Sequence, residues 1–282
     1  AIARIWLTNC GAAYAEGSQV GVAAQPFKFS DDQPIQGGLM RGEVEPKTKL
    51  VLDEMPVMVD ARGRFVIGFD RDSPETATLK IAPPHGPEQA IALTVEQRTY
   101  DIQRIEGLPP KQVTPPPEER ARIKRESEMK RAARLPDTEG DWFAEKFIWP
   151  AEGQVTGVYG SQRILNGSPR APHYGLDIKA AIGAPIHAPA GGIIRLAEKD
   201  FYFEGGVVFI DHGHGLTSYL MHMSRLDAKV GETVKQGDII GAVGQTGRAT
   251  GPHVHWGMFW LNAHIDPQLL LPAQADKAPA QN

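Results

Sequence analysis

Gly251-Pro252-His253-Val254-His255-Trp256-Gly257 decides how the C-terminal half of this 282-residue chain is read. The residues after His255 predict a β-strand, where positions i and i+2 share a face, so His253 and His255 look into one cleft. Far upstream, His173-Tyr174-Gly175-Leu176-Asp177 offers another histidine and a carboxylate, and a lone His222 lies between the two motifs. Zinc binds imidazole nitrogen or carboxylate oxygen at about 2.0 to 2.2 Å, and a catalytic zinc usually keeps three protein ligands with water in the fourth position. His173, Asp177 and one of the paired histidines supply that set. The remaining imidazoles are then free for proton transfer.

From Trp142 onward the texture is glycine-punctuated β. The runs Gly192 to Leu196, Val207 to Asp211, Leu216 to Met221, Asp238 to Val243 and Val254 to Trp260 read as strands, and no helix of any length is expected among them. Before this region, Glu118 to Leu135 is rich in Glu, Lys and Arg and lacks Gly and Pro. It predicts a charged helix that starts after Pro116 and Pro117, with Lys130, Arg131 and Arg134 near its negative pole and a solvated outer face. The prolines of Leu108 to Pro117 make a stiff connector. From Phe27 to Gln97, short apolar runs at Lys49 to Leu52, Met55 to Val59, Arg64 to Phe69, Ala77 to Ile81 and Ala90 to Val95 predict a small sandwich. Asp60-Ala61-Arg62-Gly63 reads as a hairpin turn within it. No chemical motif occurs there, so this part reads as a packing, spacing or gating domain.

The fold expected is therefore mainly β. Residues 1–24 form a signal-peptide remnant or disordered N-terminus, 25–108 an accessory β-sandwich-like domain, and 109–140 a Pro-rich linker with its charged helix. Residues 141–272 form the metal-binding domain and 273–282 a disordered tail. The start, with Arg4, a short apolar run and Ala13-x-Ala15, reads as the tail of an export signal and is too short to span a bilayer. Leu7-Thr8-Asn9-Cys10 matches a lipoprotein box poorly. Elsewhere no apolar stretch is long enough for a transmembrane helix. A net charge of −4 gives no global electrostatic reason to expect nucleic acid or an anionic membrane as partner.

Three separated elements in order, His173-x-x-x-Asp177, His222 after Ser218-Tyr219-Leu220-Met221, and Thr246-Gly247-Arg248-Ala249-Thr250-Gly251-Pro252-His253-Val254-His255, resemble the lysostaphin-type (LytM-like) zinc metallopeptidases that cut peptidoglycan. The similarity runs from about Phe147 to Leu271. It implies an antiparallel-β metallopeptidase domain with one Zn2+ held by His173, Asp177 and His255, and His222 and His253 unligated beside it as catalytic groups. It also implies an exported enzyme of the periplasm or cell envelope acting on peptidoglycan crosslinks or stems, with D,D-endopeptidase activity expected. Arg163 and Asn166 match family positions near the cleft and are candidate substrate contacts. A turn Asn before Gly167 and a surface Arg are the plainer alternatives.

Other histidines read as structural. His212 is expected to pack and His214 to be exposed, while His85, His187 and His264 lack a partner at ligand spacing. Tyr174 and Trp256 alternate away from their ligand neighbours into packing. Two other functions fit parts of the chain. Some relatives have lost ligands and activate cell-wall amidases, but all five positions are present here. The passage Val230 to Gly247 resembles a biotinyl or lipoyl carrier module, yet such a carrier needs its modified Lys at a hairpin tip, commonly between methionines, and no such tripeptide occurs in the chain.

Overall fold

The computed structural model describes residues 27–30, 33–107, 114–135 and 138–272. The signal-like segment 1–24, most of the Pro-rich connector and the tail 273–282 lie outside the described residues.

The upstream domain is two antiparallel sheets face to face. One contains β1 (Phe27–Phe29), β2 (Leu39–Val44) and β5 (Arg64–Gly68). The other contains β3 (Lys49–Leu52), β4 (Met55–Val57), β6 (Thr76–Ala82) and β7 (Gln89–Thr94). In β6 the period-two pattern sends Ala77, Leu79 and Ile81 inward, against Phe65 and Ile67 of the facing sheet. A turn forms at Asp60 to Gly63, with Asp60 accepting from the amides of Arg62 and Arg64 and Gly63 at φ +86°, but it is not the expected hairpin: it carries the chain from β4 in one sheet to β5 in the other. This apolar core continues without a break into the C-terminal domain.

β8 (Ile102–Ile105) does not join the sandwich. It pairs in parallel with β10 (Gln162–Leu165), which also pairs with β11 (Ser168–Pro169). Residues expected to close the accessory domain thus form an edge of the next one.

The charged helix is present as α1 (Arg120–Ala133), preceded by a 3-10 turn at Pro117–Glu119. Its outer face is solvated as expected, with Lys124, Arg125 and Glu128 exposed, but its other face is packed. Glu126 is 3% exposed and accepts from Arg122 Nε at 2.7 Å and from the Tyr202 amide at 2.9 Å. Lys130 pairs with Glu204, and Arg134 lies 3.9 Å over the Phe259 ring. Ala133 and Met129 join Phe209, Tyr219 and Phe259 in a second apolar cluster. Charge density concealed this because arginine and lysine stems cover apolar surface while their heads find carboxylates.

The C-terminal domain is built on an eight-stranded antiparallel sheet in the order β18 (Thr233–Val234), β14 (Gly192–Phe201), β15 (Gly205–Asp211), β16 (Leu216–Met223), β20 (His253–Trp260), β12 (Leu176–Lys179), β9 (Gln154–Gly157). β21 (Ala263–Ile265) pairs with β20. A small sheet of β13 (Pro185–His187), β19 (Ile239–Ala242) and β17 (Arg225–Leu226) lies beside it. Val254, Trp256, Met258 and Trp260 face the main core, while Phe259 and Tyr219 face α1. Among the described residues, this domain contains only the 3-10 turns Trp142–Ala144 and Pro267–Leu270, as the sequence led us to expect.

Removing the Glu126 carboxylate leaves the half-buried Tyr202 amide and Arg122 Nε without this acceptor, while Arg122 keeps its contacts with Asp200 and Glu119. Glu126→Ala is expected to lose about 1 to 3 kcal/mol. Urea denaturation measures this, and an unchanged midpoint would mean that α1 adds nothing to the fold.

Candidate metal centre

The central pair of the site is set by sheet register. Asp177 on β12 lies directly opposite His255 on β20. Opposed residues in an antiparallel pair hold their Cβ atoms about 4.5 to 5.5 Å apart, so a carboxylate and an imidazole meet across the strands. Asp177 Oδ1 is 2.8 Å from His255 Nδ1 and 3.0 Å from His173 Nε2, and the two ring nitrogens are 2.9 Å apart. Three ligand-type atoms thus form a nearly equilateral, buried triangle. Glycine allows the close packing around it: a Cβ at Gly157 would lie 2.4 Å from Asp177 Oδ2, and one at Gly175 2.6 Å from His255 Nε2.

His173 reaches the triangle from the loop before β12. Its Nδ1 lies 2.9 Å from the Val158 carbonyl, which can only accept, so Nδ1 carries the proton and Nε2 presents a lone pair. A carbonyl partner of this kind fixes tautomer and ring orientation in metal-binding histidines. Asp177 is opposed by burial, yet the imidazoles of His173 and His255 beside it outweigh that cost and hold its carboxyl well below the usual range. Burial lowers His255 to about 4. The donor set is therefore anionic carboxylate plus neutral imidazole, which suits a divalent cation. Ligand atoms bonded at about 2.0 to 2.1 Å to one tetrahedral ion stand roughly 3.4 Å apart, close to the observed edges.

The two other expected histidines stand beside the triangle. His253 shares the face of His255, as period two requires, and its Nε2 is 3.8 Å from Asp177 Oδ1. His222 breaks that period. Even-numbered residues of β16 such as Leu220 point to the core, but His222 adopts φ +65° and turns into the cleft, while Met223 takes the core position. The irregularity coincides with a register shift opposite Gly206 to Val208. A left-handed histidine is uncommon and persists where its surroundings fix it. Here its amide donates to Glu204 O and its Nδ1–H to Thr246 O at 2.9 Å. Thr246 is itself held, accepting at Oγ1 from the Gly206 amide and donating to Met223 O. The rings of His222 and His253 are 4.7 Å apart.

These groups open onto a cleft of about 400 Å³. Arg163 is there, with Nη2 3.0 Å from Asp177 Oδ2 and Nε 3.2 Å from Gln103 Oε1. Asn166 is not among the lining residues. It occupies the β10 to β11 turn at φ +46°, its amide donating to Ile105 O. Sequence reading missed Gln103, Lys179, Glu204 and Arg248 as lining residues. Lys179 follows Asp177 by two on β12 and Arg248 lies within the third motif, so both had a local signal; Gln103, on the upstream strand β8, and Glu204, in the turn before β15, had none.

The remaining histidines sort by burial. His212 is structural as expected: Nδ1 donates to Gly191 O and Nε2 faces Ser218 Oγ, which also accepts from Trp256 Nε1. His214 is a correction. It is 3% exposed and stacks on Phe143 at 4.1 Å, because the turn folds beneath the segment before β9. His85 is exposed beside Glu45. His187 donates to Gly237 O. His264 has a long-range partner in Asp70, at 3.2 Å, and stacks on Tyr174 at 3.7 Å.

An antiparallel sheet thus presents a buried His-Asp-His triangle able to hold a divalent cation, with two further imidazoles beside it in an open cleft. Residues 171–267 match Peptidase family M23. The chain is 39% identical over 105 residues to the peptidoglycan DD-endopeptidase ShyC of Vibrio cholerae, covering 36% of this chain and 24% of that protein. It is 36% identical over 111 residues to the DD-carboxypeptidase/endopeptidase Mpg of Neisseria meningitidis, covering 38% and 25%. The match thus spans about a quarter of those relatives. The crystal structure of a putative peptidase M23 from Pseudomonas aeruginosa is 29% identical, covers 86% of this chain and 96% of that one, and superposes with a TM-score of 0.67. Residues 171–267 are thus similar to peptidase family M23, a family of zinc metalloproteases.

Burial lowers His212 to about 4, with the Gly191 hydrogen bond opposing. Its folded pKa lies below the unfolded value near 6.5, so the stability it contributes is present above pH 6.5 and lost as pH falls toward 4. Urea denaturation from pH 7 to 4 should show this loss, and His212→Gln should flatten part of the slope. An unchanged slope would show that His212 is not held neutral.

Proposed function

We propose that the chain is an exported zinc metalloendopeptidase that hydrolyses peptide bonds in peptidoglycan crosslinks or stems, with D,D-endopeptidase activity. The observation that carries this reading is the triangle of His173, Asp177 and His255 with His222 and His253 beside it in one cleft. His173, Asp177 and His255 hold one zinc ion. When bound, zinc polarises the scissile carbonyl and lowers the pKa of its water from 15.7 toward about 7.

The chain's own residues supply the rest. His222 donates from Nδ1 to Thr246 O, and His253 from Nδ1 to Gly251 O at 2.8 Å, so each ring in its neutral form offers its Nε2 lone pair. Burial, then the neighbouring His253 and His255, lowers His222 to about 3, which leaves it neutral at pH 7. One ring accepts the proton of the attacking water, and protonated imidazole stabilises the oxyanion or returns the proton to the departing amine. Arg163 is committed to Asp177 and Gln103. We read it as orienting the carboxylate, with Lys179 and Arg248 giving the cleft positive charge for a stem peptide rich in carboxylates. An amidase-activating role would suit an incomplete site, whereas all five residues are assembled here.

His255→Ala and Asp177→Ala should lose zinc and activity, whereas His222→Ala and His253→Ala should lose activity with most zinc retained. Metal analysis of the four purified proteins tests this, and equal zinc loss in all four would sink the assignment. Incubation of the full chain with purified sacculi should release muropeptides, stop with a chelator and resume with zinc. No release under any metal condition would overturn the enzymatic reading.

A further inference from the structure

The upstream sandwich, which carries no chemical motif, makes a polar contact that leads directly to the metal triangle. Arg71 donates from Nε to the carbonyl of Gly160 at 2.7 Å. Gly160 belongs to the loop Val158 to Ser161, and that loop makes three hydrogen bonds to His173. The His173 amide donates to Ser161 O at 2.8 Å, the Gly160 amide donates to His173 O at 2.7 Å, and the imidazole Nδ1–H donates to Val158 O at 2.9 Å. The loop thus fixes both backbone and ring of His173. Gly160 is its anchor to the upstream domain.

That anchor is shaped as well as bonded. Gly160 has φ +86°, and a Cβ there would lie 2.0 Å from the Tyr100 ring. Tyr100 is in turn covered by Arg71, whose guanidinium carbon is 4.4 Å from the ring centroid. The neighbouring Tyr159 donates its hydroxyl to His264 O, and the His264 amide donates to Asp70 Oδ2. Asp70 and Arg71, adjacent in sequence, therefore grip two segments that flank the ligand loop. A planar guanidinium with fixed donor directions is suited to setting a carbonyl's position while stacked on an aromatic ring.

We propose that Arg71 is a positioning residue for the metal centre: through Gly160 it sets the loop that orients His173, so the upstream domain is part of the site's support. The proposal rests on the zinc reading above. Partners that orient metal-binding histidines typically influence metal affinity by about 10- to 100-fold. Arg71 acts one contact further away, and a loss near the lower end of that range is expected.

The test is zinc affinity of the full chain, measured by chelator competition, for Arg71→Ala, Arg71→Gln and Arg71→Lys. Arg41→Ala is the control, because Arg41 also bridges the domains, donating to Phe143 O at 3.1 Å, but does not touch the ligand loop. Arg71→Ala and Arg71→Gln should bind zinc about tenfold more weakly, Arg71→Lys should recover part of the loss, and Arg41→Ala should bind as the parent does. If the alanine variant does not fold, the glutamine variant carries the comparison. Unchanged affinity in the folded Arg71 variants, or an equal loss in Arg41→Ala, would overturn the proposal. If the parent chain bound no zinc, the metal assignment itself would fail, which is a different result.

Discussion

The register of β12 against β20 is the constraint on which the site depends. It puts Asp177 opposite His255, and a slip by one residue would turn both side chains to the other face of the sheet. The register is secured from behind. Leu176, Ile178, Val254 and Trp256 on the same two strands are fully buried in the main core, so the slip would also expose them. The candidate metal ligands and the core are therefore specified by one alternation read on its two faces. Paired ligands placed by a sheet need less support from their own side-chain contacts than His173, which comes from a loop and requires three hydrogen bonds to hold it.

What was legible in the sequence follows from the range of the forces involved. Period-two runs such as Ala77 to Ile81 and Val254 to Trp260 announce strands because alternation is local, and the resulting β class is the one observed. The side-by-side placement of His253 and His255 could be read for the same reason. Asp177 and His173 could be named from residue type and spacing, though the register that joins them to His255 is a long-range property. His222 could be recognised only by resemblance to a family, since a strand pattern continued through Leu220 would have pointed it into the core.

The features missed in the sequence share a physical cause. Glu118 to Leu135 does present the solvated face its charges announce, but the packed face was not legible, where Glu126 finds both a guanidinium and a backbone amide and Arg134 an aromatic ring. His214 looked exposed because it lies in a glycine-rich turn, yet Phe143, some seventy residues earlier, closes over it. His264, expected at the surface or in packing, does pack on Tyr174, and its contact with Asp70 is a long-range one that no sequence window shows. Each depends on a contact between segments that only the folded chain brings together, and composition within a window cannot report it.

The parallel pairing of β8 with β10 has a consequence for how this architecture can be rearranged. Gln103 and Ile105 belong to a strand that precedes the helix, yet they border the same cleft as His253. The portion that recombination or grafting could transfer intact is therefore not the compact stretch that starts near Trp142. A transplant with a complete wall would have to include Ile102 to Ile105 and a tether able to return to β10, so the natural seam for domain exchange lies upstream of the helix.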